Sequence, residues 1–427
     1  MRLIDFSILV PSNRFHSELQ ASQHSPHLHK AILRSLHRPL SVLLSNLSAH
    51  LLPLLSSPSF LSPPAPTLHA QNPNPTQLHA LAIADFAGEL LEAFDALDLG
   101  LDADLRGDGL KLIREDLVSL LNRVVGPLIA AIRNELIPLL DALEVPSSHI
   151  QSRSLIGAKS SRYHPSIISL QAVIPIYARA LTRYTTSTSS QTALATFLIS
   201  VIWRGLVALS HRPFIVPTPP TSPQLLSMAS KKSYESVPLP TPGRFTIKLP
   251  SSRPSSRPPS PPSLLLPATV AADAQALYDL LITFPHPRSN MESTQLAREV
   301  VNDAFQGLKS LPPLLEAVLS HSSSKLESQE KTDAWVRQLQ VLTTELPLLI
   351  ALPVIFQGDA HGRPVLSVAQ LLGLSEDEYR KECLSGFGRA EECSTPIAQQ
   401  LLDVMHMNNA DSVVSQYLEL EIAEAVC

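Results

Sequence analysis

Leucines three and four residues apart recur along most of this chain, and strict polar–apolar alternation is scarce. Such spacing gathers apolar side chains on one face of a helix. The pattern therefore predicts an all-α fold, an irregular multi-helix bundle or helical layers, interrupted by a Pro/Ser-rich disordered linker. The first helical stretch, 28–55, lines up Leu33, Leu36, Leu40, Leu43, Leu44, Leu47, Leu51 and Leu54. Pro39 and Pro53 are expected to kink or split it. A second runs from Thr76, read as its N-cap, to about residue 97, with Leu78, Leu81, Ala82, Phe86, Leu90 and Phe94 to one side. A third covers 110–125, is expected to break at Gly126-Pro127, and is followed by a fourth to about 143. Residues 76–143 thus predict three consecutive antiparallel helices.

The segments 165–184 and 192–210 are apolar and nearly uncharged, which predicts helices central to the core. Further helices are expected over 268–283, 292–308, 313–320, 327–342 and 347–357. Ser375 and Glu378 form a capping box that opens a helix to 384. Thr395-Pro396 reads as a cap with a first-turn proline, starting a helix to 407, and 411–425 is the last amphipathic stretch. The one strand-like piece is 245–249, inside the proline-rich region.

Composition sharpens this picture in two places. Aromatic residues make up only 5%, so strands are disfavoured in a leucine-dominated chain. Proline reaches 38 residues, and much of it lies in 212–267, in runs such as PTPPTSP and SSRPSSRPPSPPS. These runs carry too little apolar surface to offset ordering entropy. The expected organisation is an N-terminal helical segment (1–57), a linker (58–75), a helical domain (76–211), a disordered linker (212–267) and a C-terminal helical domain (268–427), the last packing with 76–211 as one unit or standing apart. The phrase PLLDAL at 138–143 returns as PLLEAV at 313–318 and PLLIAL at 347–352, without a fixed period.

Charge comes in blocks. The net value is −5, yet 85–144 carries five basic and thirteen acidic residues, and 145–234 carries no acid at all. The plain reading is neutralisation between blocks within one molecule. The sharper one gives 145–234 an anionic partner: nucleic acid, a membrane surface or an acidic protein. No nucleic-acid motif accompanies it. The longest apolar run, 193–209, is interrupted by Arg204, so a buried core helix is expected and no transmembrane helix. Three cysteines, Cys383, Cys393 and Cys427, are too few for a disulfide framework and predict free thiols in a reducing compartment. Cytoplasm or nucleus is expected. The acid-free, Ser- and Leu-rich stretch 19–84 leaves mitochondrial import as the alternative.

Candidate chemistry is thin. Residues 104–115 (DLRGDGLKLIRE) partly fit a calcium loop, with Asp104, Asp108 and Glu115 as ligands and Gly109 at the turn. Arg106 and Lys111 oppose a dication there. His24, His27, His29 and His37 lack the Cys or carboxylate partners of a structural metal site. No nucleophile elbow, P-loop or dinucleotide fingerprint occurs, and no cofactor is expected. Thr218, Ser222, Thr241 and Ser260 each precede proline in the linker, and phosphorylation would add ~1.5–2 negative charges per site. The expected function is a non-catalytic α-helical scaffold or adaptor subunit that binds protein partners through apolar helix faces. The alternatives are an enzyme with a motif-less helical site and a peripheral membrane or tethering protein using 145–234.

Overall fold

The computed structural model describes residues 26–63, 65–97, 99–100, 110–146, 163–214, 269–288, 292–322, 329–359, 366–407 and 412–426. They form thirteen α-helices and no strand. The first five are α1 (Pro26–Leu55), α2 (Pro75–Ala96), α3 (Leu110–Asp141), α4 (Pro165–Tyr184) and α5 (Gln191–Ser210). The C-terminal set is α6 (Val270–Leu281), α7 (Glu292–Ser322), α8 (Gln329–Thr343), α9 (Leu348–Asp359), α10 (Val368–Leu371), α11 (Glu376–Glu382), α12 (Phe387–Met407) and α13 (Val413–Val426). The all-α class follows the leucine spacing. The strand-like piece 245–249 lies outside the described residues.

Several expected breaks are absent. α1 runs through Pro39 and Pro53, α3 through Pro127 and Pro138, and α7 through Pro312 and Pro313. Residues 76–143 therefore hold two long helices and a short 3-10 turn (Ala142–Glu144) rather than three helices. Thr395-Pro396 likewise sits inside α12 and opens nothing. A proline removes the hydrogen bond to the carbonyl four residues earlier and crowds that carbonyl. Here Pro39, Pro53, Pro127, Pro138, Pro175, Pro313 and Pro396 are all exposed, and so is the residue four before each: Ser35, Ala49, Arg123, Asn134, Gln171, Lys309 and Glu392. Water can therefore reach the freed carbonyl at these seven, whereas Pro312 and Pro353 are buried, as are Leu308 and Leu349 four before them. On the opposite face the apolar stripe continues without a change of phase: Leu121, Val124, Val125, Leu128, Ile129 and Ile132 in α3 are all buried. Each such side chain contributes roughly 1.5–3 kcal/mol on burial, so a few of them outweigh one proline.

Helix starts differ by a residue or two. α2 is capped by Asn74, not Thr76, in a reciprocal box with Gln77, and Pro75 takes the first helical position. Gln77 also donates to the Phe60 carbonyl at 2.8 Å, and Phe60 is buried. The segment between α1 and α2 is thereby packed against the body. The Ser375–Glu378 capping box is present as expected, and Ser367 with Gln370 makes another at α10.

α5 lies at the centre. It packs against α3 on one side and α7 on the other, with α6 and α9 completing its surroundings. α3 in turn carries α1, α2 and α4, while α7 carries α6, α8 and α9. One continuous apolar core results, running from Leu33 in α1 to Leu418 in α13. Gly205 allows the α5–α6 approach: a Cβ there would stand 2.7 Å from Leu277 Cδ2.

Candidate functional site

The most chemically loaded place in the molecule is a buried ionic clasp where α4, α5 and α6 meet. Arg212, two residues past the end of α5, donates from Nη1 to Asp273 Oδ2 at 2.6 Å. Asp273 lies in the first turns of α6, behind the Thr269 cap, and its Oδ1 accepts the His164 backbone N–H at 2.9 Å. The two charged side chains are 3% and 0% exposed. His164 caps α4: its Nδ1 accepts the Ser166 N–H at 3.2 Å, which leaves the proton on Nε2, 3.0 Å from the Val145 carbonyl. Burial, and next the Arg212 charge, hold this imidazole below its usual pKa and so neutral. Gln357 of α9 extends the clasp. It accepts the Phe214 N–H at 3.0 Å and donates to the Ser210 carbonyl at 3.3 Å.

The clasp is closed to substrate. Both oxygens of Asp273 are engaged by donors, and no solvent reaches the pair. Its role is positional: it fastens the chain before 215–268 to the chain after it. A sealed pair of this kind contributes little net stability by itself, but removing one member leaves an uncompensated buried charge.

Two hollows stand out among the described residues. A cleft of about 160 Å³ between α1 and α3 has an apolar wall (Leu44, Leu51, Leu52, Leu120) and a polar one (Ser48, Asp116, Ser119, Arg123). Another, of about 10 Å³, lies beside the stacked His321–Trp335 rings. Small-molecule sites usually occupy ~300–1,000 Å³. The first is a groove for a side chain or two, and the second barely admits one water.

Glu115 sits exposed on the first turns of α3, while Asp104 and Asp108 lie outside the described residues. Thr218, Ser222, Thr241 and Ser260 lie outside them too, as does His24. His27, His29 and His37 share α1, and no cluster of three or more His, Cys, Asp or Glu suited to a metal occurs among the described residues. The described arginines of the basic stretch are engaged internally, while Arg153 and Arg162 lie outside the described residues. Arg179 reaches Gln71 and Arg183 reaches Asn72, both at 3.1 Å, Arg204 holds Asp141 bidentately, and Arg212 holds Asp273. Trp203 is buried and donates to the Leu384 carbonyl at 2.8 Å. By length and composition the helical run Thr188–Ser210 is apolar enough to cross a membrane, and 67% of its apolar 18-residue window is buried within the protein.

Sequence reasoning misses the clasp. Arg212 reads as the first residue of the linker, and Asp273 as an ordinary acidic residue opening a helix; their separation of 61 in sequence hides the contact. Only the scarcity of charge around 163–211 hints that an arginine at its edge needs a partner. Comparison with protein-family models, curated proteins and solved structures found no match to this chain.

Proposed function

We propose that this protein is a non-catalytic α-helical scaffold or adaptor subunit of a larger assembly, and that α1 with its cleft against α3 is where it receives a helix of its partner. The observation that carries this reading is the incomplete cover of α1. Leu33, Leu47 and Leu51 are buried against the body, Leu36, Leu40, Leu43 and Leu44 are only half covered, and Val42 and Leu52 are exposed. Apolar positions at helical spacing left open beside a groove suit helix-in-groove recognition. The two walls of the cleft, one of leucines and one carrying Asp116 and Arg123, match the two faces of an amphipathic helix.

The test is isolation of the tagged full chain from its own cells under native conditions, beside the Leu52→Lys variant. A stoichiometric partner retained by the parent chain and lost from the variant is expected. A parent chain that runs as a bare monomer, or a partner held equally by both, overturns the proposal.

A further inference from the structure

At the corner between α11 and α12, two thiols meet. Cys383 caps the end of α11 and is buried; Cys393 lies two turns into α12 and is partly exposed. The Cys393 thiol is near enough to Cys383 to push that thiol's pKa up. Cys393 Sγ also lies 4.0 Å from the carbonyl of Glu382, the residue preceding Cys383. Arg389 braces the corner by donating from Nε to that same carbonyl at 2.8 Å. A second feature marks the spot. Tyr379 is completely buried, its hydroxyl has no hydrogen-bond partner among the described residues, and it lies within electrostatic reach of both thiols. A buried polar group left unmatched calls for an explanation in strain, redox or catalytic chemistry, or a bound water or ion. The proposed scaffold function gives this cluster no task.

We propose that Cys383 and Cys393 are a redox pair, closed into an intramolecular disulfide by a low-molecular-weight disulfide of the glutathione type and reopened by the corresponding thiol. The thiolate of Cys393, the accessible member, attacks one sulfur of the small disulfide; a mixed disulfide forms, and one small thiolate leaves and takes up a proton. The sulfur of Cys383, giving up its proton, then attacks Cys393 Sγ, and the second small thiolate departs. Two protein thiols are oxidised and one small disulfide is reduced to two thiols. The order follows from environment. Burial, with the neighbouring Cys393 thiol, pushes the Cys383 thiol up to about 11, so it reacts poorly with anything from solvent and acts only on a partner already beside it.

The closed bond would pin the turn that Trp203 reads. Trp203 donates to Leu384, next to Cys383, and packs on Phe387 with ring centroids 4.6 Å apart. The protein has two tryptophans, so the full chain carrying Trp335→Phe reports this corner alone.

The experiment uses that chain with Cys427→Ser added, reduced and then exposed to glutathione disulfide. Expected are a mass loss of two hydrogens, a single pair of peptides joined through Cys383 and Cys393, and a change in Trp203 fluorescence reversed by reductant. With Cys383→Ser the glutathione adduct persists on Cys393; with Cys393→Ser, whose site is partly exposed and tolerant, no adduct forms on Cys383. Two thiols that stay alkylatable in the parent chain, or an adduct on Cys393 that Cys383 does not resolve, overturn the proposal. So does an adduct on Cys383 in the Cys393→Ser variant.

Discussion

α1 and α5 are written in the same leucine-rich style but occupy opposite situations. α5 is buried nearly all round, with Leu198, Val201, Ile202, Leu206 and Leu209 each 1% exposed or less. α1 buries a narrow ridge and leaves Val42 and Leu52 in solvent at 55% and 47%. The difference is one of neighbours: α5 packs closely against α3, α6, α7 and α9, whereas the main helix contacts of α1 among the described residues are with α2 and α3. The same apolar density yields core in one place and a partly exposed apolar face in the other. Stability should therefore respond sharply to changes around α5 and weakly to changes on α1, whereas partner binding should do the reverse.

The largest effect is expected at the clasp that ends α5. Asp273→Ala leaves Arg212 buried without its counter-charge and the His164 N–H without its acceptor, so denaturant titration should show a loss of about 3–5 kcal/mol. The double variant Arg212→Met/Asp273→Leu removes both charges and should recover much of that loss. The orphaned His164 N–H should retain a penalty of about 1–3 kcal/mol. A double variant no more stable than the single one would refute the account of the clasp as a paired charge.

Two glycines sharpen the contrast between centre and periphery next. Gly205→Ala places a Cβ 2.7 Å from Leu277 Cδ2 in the closed α5–α6 contact and should cost about 1–3 kcal/mol as overpacking. Gly126→Ala puts the same methyl on α3, where nothing lies within 4 Å, and should stabilise by about 0.5–1 kcal/mol through helix propensity. Opposite signs from identical chemistry are the expectation, read as shifts in the denaturant midpoint.

That glycine is also where the sequence misleads. Gly126-Pro127 carries the usual marks of a helix end, yet α3 passes straight through. The information against a break was present: the apolar positions keep their three-and-four phase across Pro127 and across Pro312-Pro313, and most intrahelical prolines fall on the polar side of that phase. Residue type alone suggests punctuation; residue type read against the phase of the stripe does not. The all-α class, the central place of α5 and the Ser375 cap were legible because each rests on local spacing. The clasp and the thiol corner were not. Their members come together through packing of separate helices, and no spacing rule carries that.

Acid should loosen the centre of the molecule before the edge. His164 and His211 are both held below their ordinary value of 6.5, first of all by burial. Their contribution is complete above the unfolded value and is lost as pH falls through the lower folded values, because the unfolded chain binds protons first. The denaturation midpoint should therefore fall as pH drops below 6.5. His164→Gln should flatten that dependence in part, with His211 supplying the remainder. An unchanged slope in this variant would mean that His164 is not buried neutral beside Arg212.

The smallest stability change is expected on α1. Leu52→Lys replaces an exposed apolar side chain in the last turn of the helix. Lysine and leucine have similar helix propensity, and a cation at a helix C-terminus gains roughly 0.3–1 kcal/mol from the dipole. That gain opposes the loss of the leucine's remaining apolar contact, so the net shift should stay within about 0.5 kcal/mol, as for surface positions generally. A thermal midpoint within error of the parent, together with loss of the partner, would separate the edge from the core as the comparison with α5 requires. A large drop in the midpoint would show instead that Leu52 belongs to the core and that α1 is covered by the protein's own chain.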